Sequence, residues 1–479
     1  MNMNKRDDCF CPKSLLSKQN NPEVTTSNFT SSNQPVSRST VNADDIDIDA
    51  IEEVPDEFCN PDSPVIVSFD EVKKAEEAIK DGVVHTPFAR SYHLSKLFGM
   101  EIYLKYDFKQ ITGSFKDRGA RYACLNLTDE QRRAGVITAS AGNHAQAMSY
   151  HGTSLGVPVT VVMPVTSPIM KITKCRDYGS NVILKGKHYG EARKVALYLA
   201  KKHNMVFING YDHPNVIAGQ GSVGMEICRD LPDVDVVVVP TGGGGLLSGI
   251  CVAVKGMNPQ SKIIAVEAER AAGFKNAMDH GRPTDTTILP SLADGLSVPC
   301  VGYNAFATAQ PHIEKVISLK ENCIALGILR LVEMEKVVVE GSGASGVAAI
   351  LGGHLNEYKG KKIAIVLSGG NIDTSVLGRV LERGLAADGR YIKVKVTVRD
   401  RAGGVSELLT DISDNGVGIK HVMHERAWVT SDVYSVLVKC ILETRDYQHS
   451  LDLKEALHKK YDLVEFVDFP SAPPGTVPC

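Results

Sequence analysis

The sequence predicts an α/β protein built on parallel sheets covered on both faces, followed by a small, separate α/β sandwich. Three observations lead there. Short Val/Ile-rich runs alternate with helical segments from about residue 65 to 385, the pattern of strands buried on both sides by crossover helices. Near residue 390 these runs give way to YIKVKVTV, which alternates apolar and polar residues as a half-exposed strand does. At 479 residues the chain is also too long for one ordinary core, so two or more domains are expected.

Residues 1–62 are rich in Ser, Asn, Thr and Asp and carry an acidic stretch from Asp44 to Glu57. They have little apolar surface to bury, so the segment is predicted to be disordered. FDEVKKAEEAIK, from Phe69, reads as an amphipathic helix. Gly135–Ala139 reads as a buried strand and NHAQAMSYHGTSLG as its helix. Val157–Met163 and Val206–Ile208 read as strands. Val234–Val239 is a strand with LLSGICVAVK as its helix, and Lys262–Val266 and Ile363–Leu367 are further strands. Beyond these, residues 389–468 read in the order βαββαβ. Its parts are YIKVKVTV, the helix VSELLTDISDNG, strands Gly418–Glu425 and Asp432–Leu442, the helix LDLKEALHKKY, and Leu463–Val467. Residues 469–479, ending SAPPGTVPC, form a loose tail.

Composition excludes several classes. A net charge of −3 gives no nucleic-acid footprint. No apolar run approaches the roughly 18 residues of a membrane helix. The start, MNMNKRDDCFCPK, lacks the apolar region of a secretory signal and carries acids unlike a transit peptide. Eleven scattered cysteines fit a reducing compartment better than a disulfide framework, and a cytoplasmic protein is expected. Cys9 and Cys11, the one close pair, read as part of the tail rather than as a metal or redox site.

Ligands of such sheets sit outside the carboxyl ends of strands, and three motifs fall there. Gly242–Gly245 follows VVVVPT and opens a helix. Glycines let backbone N–H groups approach an anion, and the helix start favours negative charge, so a phosphate suits this turn. No GKS/T follows, so a nucleoside triphosphatase loop is not supported. Ser140-Ala141-Gly142-Asn143-His144 lies at another strand-to-helix turn. Asn143 offers both a donor and an acceptor, suited to an aromatic hydroxyl or a carboxylate. Ser140 is equally readable as a plain helix cap, and His144 as a packed or orienting residue. Ser368, after IAIVL, carries a hydroxyl able to bond a pyridine nitrogen without holding it strongly protonated; a ligand-free turn is the other reading. Lys116, in ITGSFKDRGA, completes the set. A lysine can form a Schiff base with an aldehyde cofactor, most often pyridoxal 5'-phosphate.

Together SFKDRGA, SAGNHAQ, DHPNVIAGQGSVGMEI, GGGGLLSGI, ADGL and LSGGNID resemble, in order and spacing, the threonine/serine dehydratase and serine racemase group of fold-type II pyridoxal-phosphate enzymes. The resemblance covers roughly residues 65–385. It implies a tryptophan synthase β-like fold with two parallel-sheet subdomains, a catalytic domain over 63–388 and pyridoxal 5'-phosphate as cofactor. It makes Lys116 the Schiff-base lysine with Phe115 beside the ring. Asn143 would bond the ring hydroxyl, Gly242, Gly243, Gly244, Gly245 and Leu246 the phosphate, and Ser368 the ring nitrogen. Ser140, Asn143 and His144 would receive the substrate carboxylate.

The implied reaction is β-elimination from L-threonine and L-serine: the β-hydroxyl leaves as water, and hydrolysis of the released enamine then gives ammonia and 2-oxobutanoate or pyruvate. Serine racemase is the first alternative, and a non-catalytic amino-acid sensor on the same fold is another. Similar racemases carry a serine, as base on the opposite face, where this chain has Ala141. Racemases of this group also use a divalent cation near the position of Glu267, but the later carboxylate expected there is Gly273, so no metal site is assigned. Residues 389–468 resemble an ACT domain, with Asp400, Gly403 and Gly404 in its first loop and Ala402 where a proline is common. That implies an amino-acid-sized effector or simple pairing of copies, and hence a homo-oligomer.

Overall fold

The computed structural model describes residues 46–427 and 432–470. In chain order its strands are β1 Phe88–Arg90, β2 Glu101–Lys105, β3 Val136–Ala139, β4 Val159–Met163, β5 Asn181–Leu184, β6 Val206–Phe207 and β7 Val236–Pro240. They continue with β8 Lys262–Ala268, β9 Ile313–Leu319, β10 Lys362–Val366, β11 Tyr391–Arg399, β12 Gly418–Glu425, β13 Ser435–Glu443 and β14 Val464–Val467.

They make three sheets. A six-stranded sheet runs β1-β2-β10-β7-β8-β9, parallel except for the edge strand β1. A four-stranded parallel sheet runs β5-β4-β3-β6. The third, antiparallel, runs β12-β13-β11-β14. The body is thus the α/β arrangement with two parallel-sheet subdomains, and residues 391–467 have the expected βαββαβ order.

Burial follows the sequence pattern. All five residues of β7 are buried, because helices cover both faces of its sheet. In β11 and β13 buried residues alternate with less buried ones, because one face meets helices and the other does not. The predicted first helix is present as Phe69–Ile79. Ser68 Oγ accepts from the Glu71 amide, and Glu71 Oε2 accepts from the Ser68 amide at 2.7 Å, a capping box.

Strands β1, β2, β5 and β9 have no counterpart among the predicted ones. In β2 and β9, Glu101, Lys105, Glu314 and Lys315 interrupt the apolar runs. Lys105 is nonetheless fully buried, because its ammonium meets Glu226 Oε2 at 2.5 Å and donates to the Thr86 carbonyl at 2.7 Å.

The predicted disordered segment needs correction where it is described. Residues 1–45 lie outside the described residues, but Ile51, Asp56 and Cys59 are each less than a tenth exposed. Asp56 accepts from Asn209 Nδ2 at 3.3 Å, Asn304 Nδ2 donates to the Phe58 carbonyl at 2.7 Å, and the Phe58 and His213 rings lie 4.4 Å apart. A few polar anchors and one aromatic contact order a stretch whose composition has little to bury. At the other end, Phe469 stacks on Tyr447 at 5.4 Å, whereas SAPPGTVPC falls outside the described residues.

The body closes around a buried ion cluster. Arg118 reaches Asp107 Oδ1 at 2.7 Å and Glu226 Oε1 at 2.6 Å, and Glu226 also takes Lys105. Removing one member strands the others without water. Arg118→Ala is therefore expected to cost about 3–5 kcal/mol, read as a lower urea midpoint; an unchanged midpoint would refute this account.

Candidate active site

The predicted motifs converge on one cavity of about 350 Å³. Lys116, Phe115, Ser140, Asn143, His144, Gly242–Gly245, Leu246 and Ser368 all line it, so every predicted site residue is brought together there.

Lys116 begins the helix Lys116–Leu125. The preceding loop is tied to the turn after β10: the Phe115 amide donates to the Ser368 carbonyl at 2.9 Å, and Ser114 and Gly369 form an isolated antiparallel bridge. Residues distant in sequence are thereby fixed side by side through backbone bonds. Lys116 Nζ lies 4.9 Å from the centroid of the Phe115 ring and donates to the Gly210 carbonyl at 2.5 Å. Burial favours its neutral amine and brings its pKa down to about 8, while Glu340 pulls the other way.

The Gly242–Gly245 turn leaves β7 and opens the helix Gly245–Met257. Gly244 has φ +93°. A Cβ on Gly243 would lie 2.3 Å from the Tyr211 ring, and one on Gly245 would lie 2.3 Å from the Tyr211 carbonyl oxygen. Only glycine fits this path. The bare backbone and the helix start together make a cradle for an anion.

Gly142 occupies the N-cap position of the helix Asn143–Ser154, so Ser140 is not the cap. Ser140 Oγ accepts from the Gly142 amide at 3.2 Å. His144 Nε2 lies 3.3 Å from the Ile208 carbonyl, and Nδ1 has no partner among the described residues. Burial first, and Lys116 second, push the imidazole down to about 3, so it is neutral near pH 7. Ala141 also lines the cavity.

Sequence reasoning missed four lining residues of interest. Glu340 accepts from Asn143 Nδ2 at 2.7 Å, and burial and Asp294 push its carboxyl up to about 7. Lys171 and Asp294 pair at 3.0 Å beside the cavity. Ser342 Oγ is buried without a partner among the described residues. The signal for Glu340 and Ser342 was available: VVVEGSGASG has the same apolar-run-to-glycine punctuation as the other motifs. Glu267 is buried at the start of the helix Gly273–His280. It accepts from the Phe274 amide at 2.9 Å and Ser318 Oγ at 2.8 Å.

These features fit pyridoxal phosphate: an amine for its aldehyde, a side-chain-free cradle for its phosphate, and the hydroxyl of Ser368 and amide of Asn143 for its ring. The protonated amine is not a nucleophile. The apoenzyme should therefore capture the cofactor at a rate that rises with pH and levels off above about 8. A rise continuing to about 10.4, the value of an ordinary lysine, would refute the effect of burial; rapid-mixing absorbance reads the difference. Gly243→Ala, by pressing on Tyr211, should weaken cofactor binding about tenfold or more, a change worth about 1.4 kcal/mol, in an absorbance titration.

Comparison with known proteins identifies the family. The family model described as "Pyridoxal-phosphate dependent enzyme" matches residues 79–369. The chain is similar to the L-threonine ammonia-lyase of Thermotoga maritima, 41% identical over 395 residues, covering 82% of this chain and 98% of that relative. Among solved structures it is similar to the processed form of threonine deaminase isoform 2 from Solanum lycopersicum. That match has a TM-score of 0.62, 34% identity, 69% of this chain and 98% of the other. It is also similar to serine racemase from Dictyostelium discoideum, with TM-score 0.61, 33% identity, 64% of this chain and 99% of the other. A lysine amine, a glycine cradle and a serine gathered at the strand ends, in a chain matched over this length, make it a member of the pyridoxal-phosphate dependent enzyme family.

Proposed function

We propose that the chain is an ammonia-lyase that dehydrates L-threonine, and L-serine with it, giving 2-oxobutanoate or pyruvate and ammonia. The observation that carries this reading is the wall composition of the cavity: Lys116 lines it without an ion pair among the described residues, whereas Lys171 is paired with Asp294, and Ala141 lines it at the position where similar racemases are expected to carry a second proton carrier. The similarity to L-threonine ammonia-lyase supports the same substrate class.

Pyridoxal phosphate, when bound, supplies a conjugated electron sink that acidifies the Cα–H of an amino acid. Lys116 Nζ takes the Cα proton, helped by the burial that favours its neutral form. With the cofactor bound, Phe115 would pack beside its ring, the backbone of Gly242–Gly245 and Leu246 would hold its phosphate, and Ser368 would bond its ring nitrogen. Ser140, Asn143 and the neutral His144 surround the place of the substrate carboxylate at the start of the helix Asn143–Ser154, where backbone amides favour an anion.

Serine racemase is the second reading, favoured by the 33% identical structure. The methyl group of Ala141 has no proton to exchange, which argues against it. A sensor without catalysis is opposed by the intact Lys116, Asn143 and Ser368.

Residues 389–468 act, in this proposal, as an ACT-like module that binds a small-molecule effector and pairs with a second copy. Edge strand β12 supports pairing, since Val422 and Met423 are 41% and 61% exposed beside an open ladder edge. Gly403, with φ +87°, shapes the loop that opens the helix Gly404–Asp414, and Asp400 in that loop pairs with Arg426 at 2.6 Å. No described helix is long and apolar enough to cross a membrane. Cytoplasmic placement, drawn from composition, belongs to the same proposal.

The decisive assay is 2-oxo acid release with L-threonine, L-serine and their D-forms. Rapid 2-oxobutanoate from L-threonine is expected, and Lys116→Ala should lower it about 10²–10⁴-fold or more. No oxo acid from any substrate would sink the lyase reading. Ala141→Ser is expected to add D-serine formation from L-serine by chiral chromatography; D-serine from the unmodified enzyme would move the assignment to racemase.

A further inference from the structure

We propose that Glu340 is a positioning residue that sets the orientation of the Asn143 side-chain amide, and through it the contact that Asn143 makes inside the cavity. The inference rests on the reading of this cavity as the pyridoxal-phosphate lyase site.

Glu340 stands at the N-cap position of the helix Gly341–Leu351, yet its side chain makes no cap bond. It is 5% exposed, and its Oε1 accepts from Asn143 Nδ2 at 2.7 Å. On the other side of the same amide, Asn143 Oδ1 accepts from Asn371 Nδ2 at 2.9 Å, and that nitrogen also donates to the Thr112 carbonyl at 2.8 Å. A primary amide has one donor end and one acceptor end. With an acceptor facing Nδ2 and a donor facing Oδ1, only one of its two orientations satisfies both neighbours. One N–H goes to Glu340 and the second remains for a guest in the cavity.

Glu340 is itself held rigidly. Its amide donates to the Gly369 carbonyl at 3.1 Å, and a Cβ on Gly369 would lie 2.3 Å from Glu340 Oε1. The carboxyl thus sits against the Ser368–Asn371 turn, the turn that also fixes Lys116. A buried acid is costly, and this one forms no ion pair within 4 Å among the described residues; Lys171 and Lys116 act on it only at longer range, and Asp294 opposes its charge. Such a cost at the wall of a ligand cavity has a ready return in function. Losing the acceptor would free a buried amide to turn and present oxygen where nitrogen belongs.

The test compares Asn143→Ala, Glu340→Ala, Glu340→Gln and the double variant Asn143→Ala with Glu340→Ala, each loaded with pyridoxal phosphate. Readouts are the visible absorption band of the bound cofactor across pH, and kcat and KM for L-threonine. Glu340→Ala should move the band in the same direction as Asn143→Ala and lower kcat/KM about 10–100-fold, as loss of an orienting partner commonly does. The double variant should be no worse than Asn143→Ala alone, because both remove one interaction. Glu340→Gln keeps an acceptor oxygen and should restore the band. If Glu340→Ala fails to fold, Glu340→Met, which keeps bulk without an acceptor, is set against Glu340→Gln. An unmoved band in Glu340→Ala or Glu340→Met, or effects that add in full, would overturn the proposal. If the unmodified enzyme releases no oxo acid, the band comparison still decides the Glu340–Asn143 coupling separately from the choice of reaction.

Discussion

The site depends on a pair of bases and a pair of acids buried together. Arg118, two residues beyond Lys116 in the same helix, locks that helix to Asp107 and to Glu226 in the helix Pro214–Asp230. Lys105, at the end of β2, completes the set through Glu226. Four charges out of water are tolerated because each is matched within hydrogen-bond distance and the set is neutral. Thr86 Oγ1 adds a bond to Asp107 at 2.7 Å. The cluster joins a strand of the six-stranded sheet to two helices, and those helices flank Lys116 and the segment after Gly210. Hydrophobic packing alone would hold these elements together without choosing their rotation; directional ion pairs choose it.

On that frame, the cavity is tuned by exclusion. Burial brings the Lys116 amine down to about 8 and the His144 ring down to about 3, and pushes the Glu340 carboxyl up to about 7. All three shifts share the same largest cause, the penalty on charge away from water, to which Lys116 adds at His144 and Asp294 at Glu340. The glycine turn applies the same economy to space. Tyr211 fills the room that side chains on Gly243 and Gly245 would need, leaving backbone amides as the surface toward the cavity.

The junction with the third sheet is also ionic. Arg390, just before β11, meets Glu333 and Asp388, and Arg330 meets the same two acids. Glu333 lies in a π-helical turn, Leu331–Glu335, that ends with Lys336 in the left-handed region at φ +58°. From there the chain runs through Val339 directly to Glu340. The segment that leaves the domain junction therefore ends at the wall of the cavity.

Sequence by itself determined the elements whose burial is uniform or strictly periodic. β7 and the alternating β11 were legible because a two-faced strand is apolar throughout and a one-faced strand every second residue. The site motifs were legible because glycine, at a strand end, marks a backbone path that other residues refuse. Tertiary structure decided the rest. Lys105 reads as a surface charge until Glu226 arrives from far along the chain, so β2 was not recognised. Residues 46–62 read as disordered because their anchors, Asn209, His213 and Asn304, belong to the body. Glu340 reads as a helix-start acid, and only folding turns it toward Asn143. In each case the energy lies in a pairing between residues distant in sequence, and a local pattern carries no record of the partner.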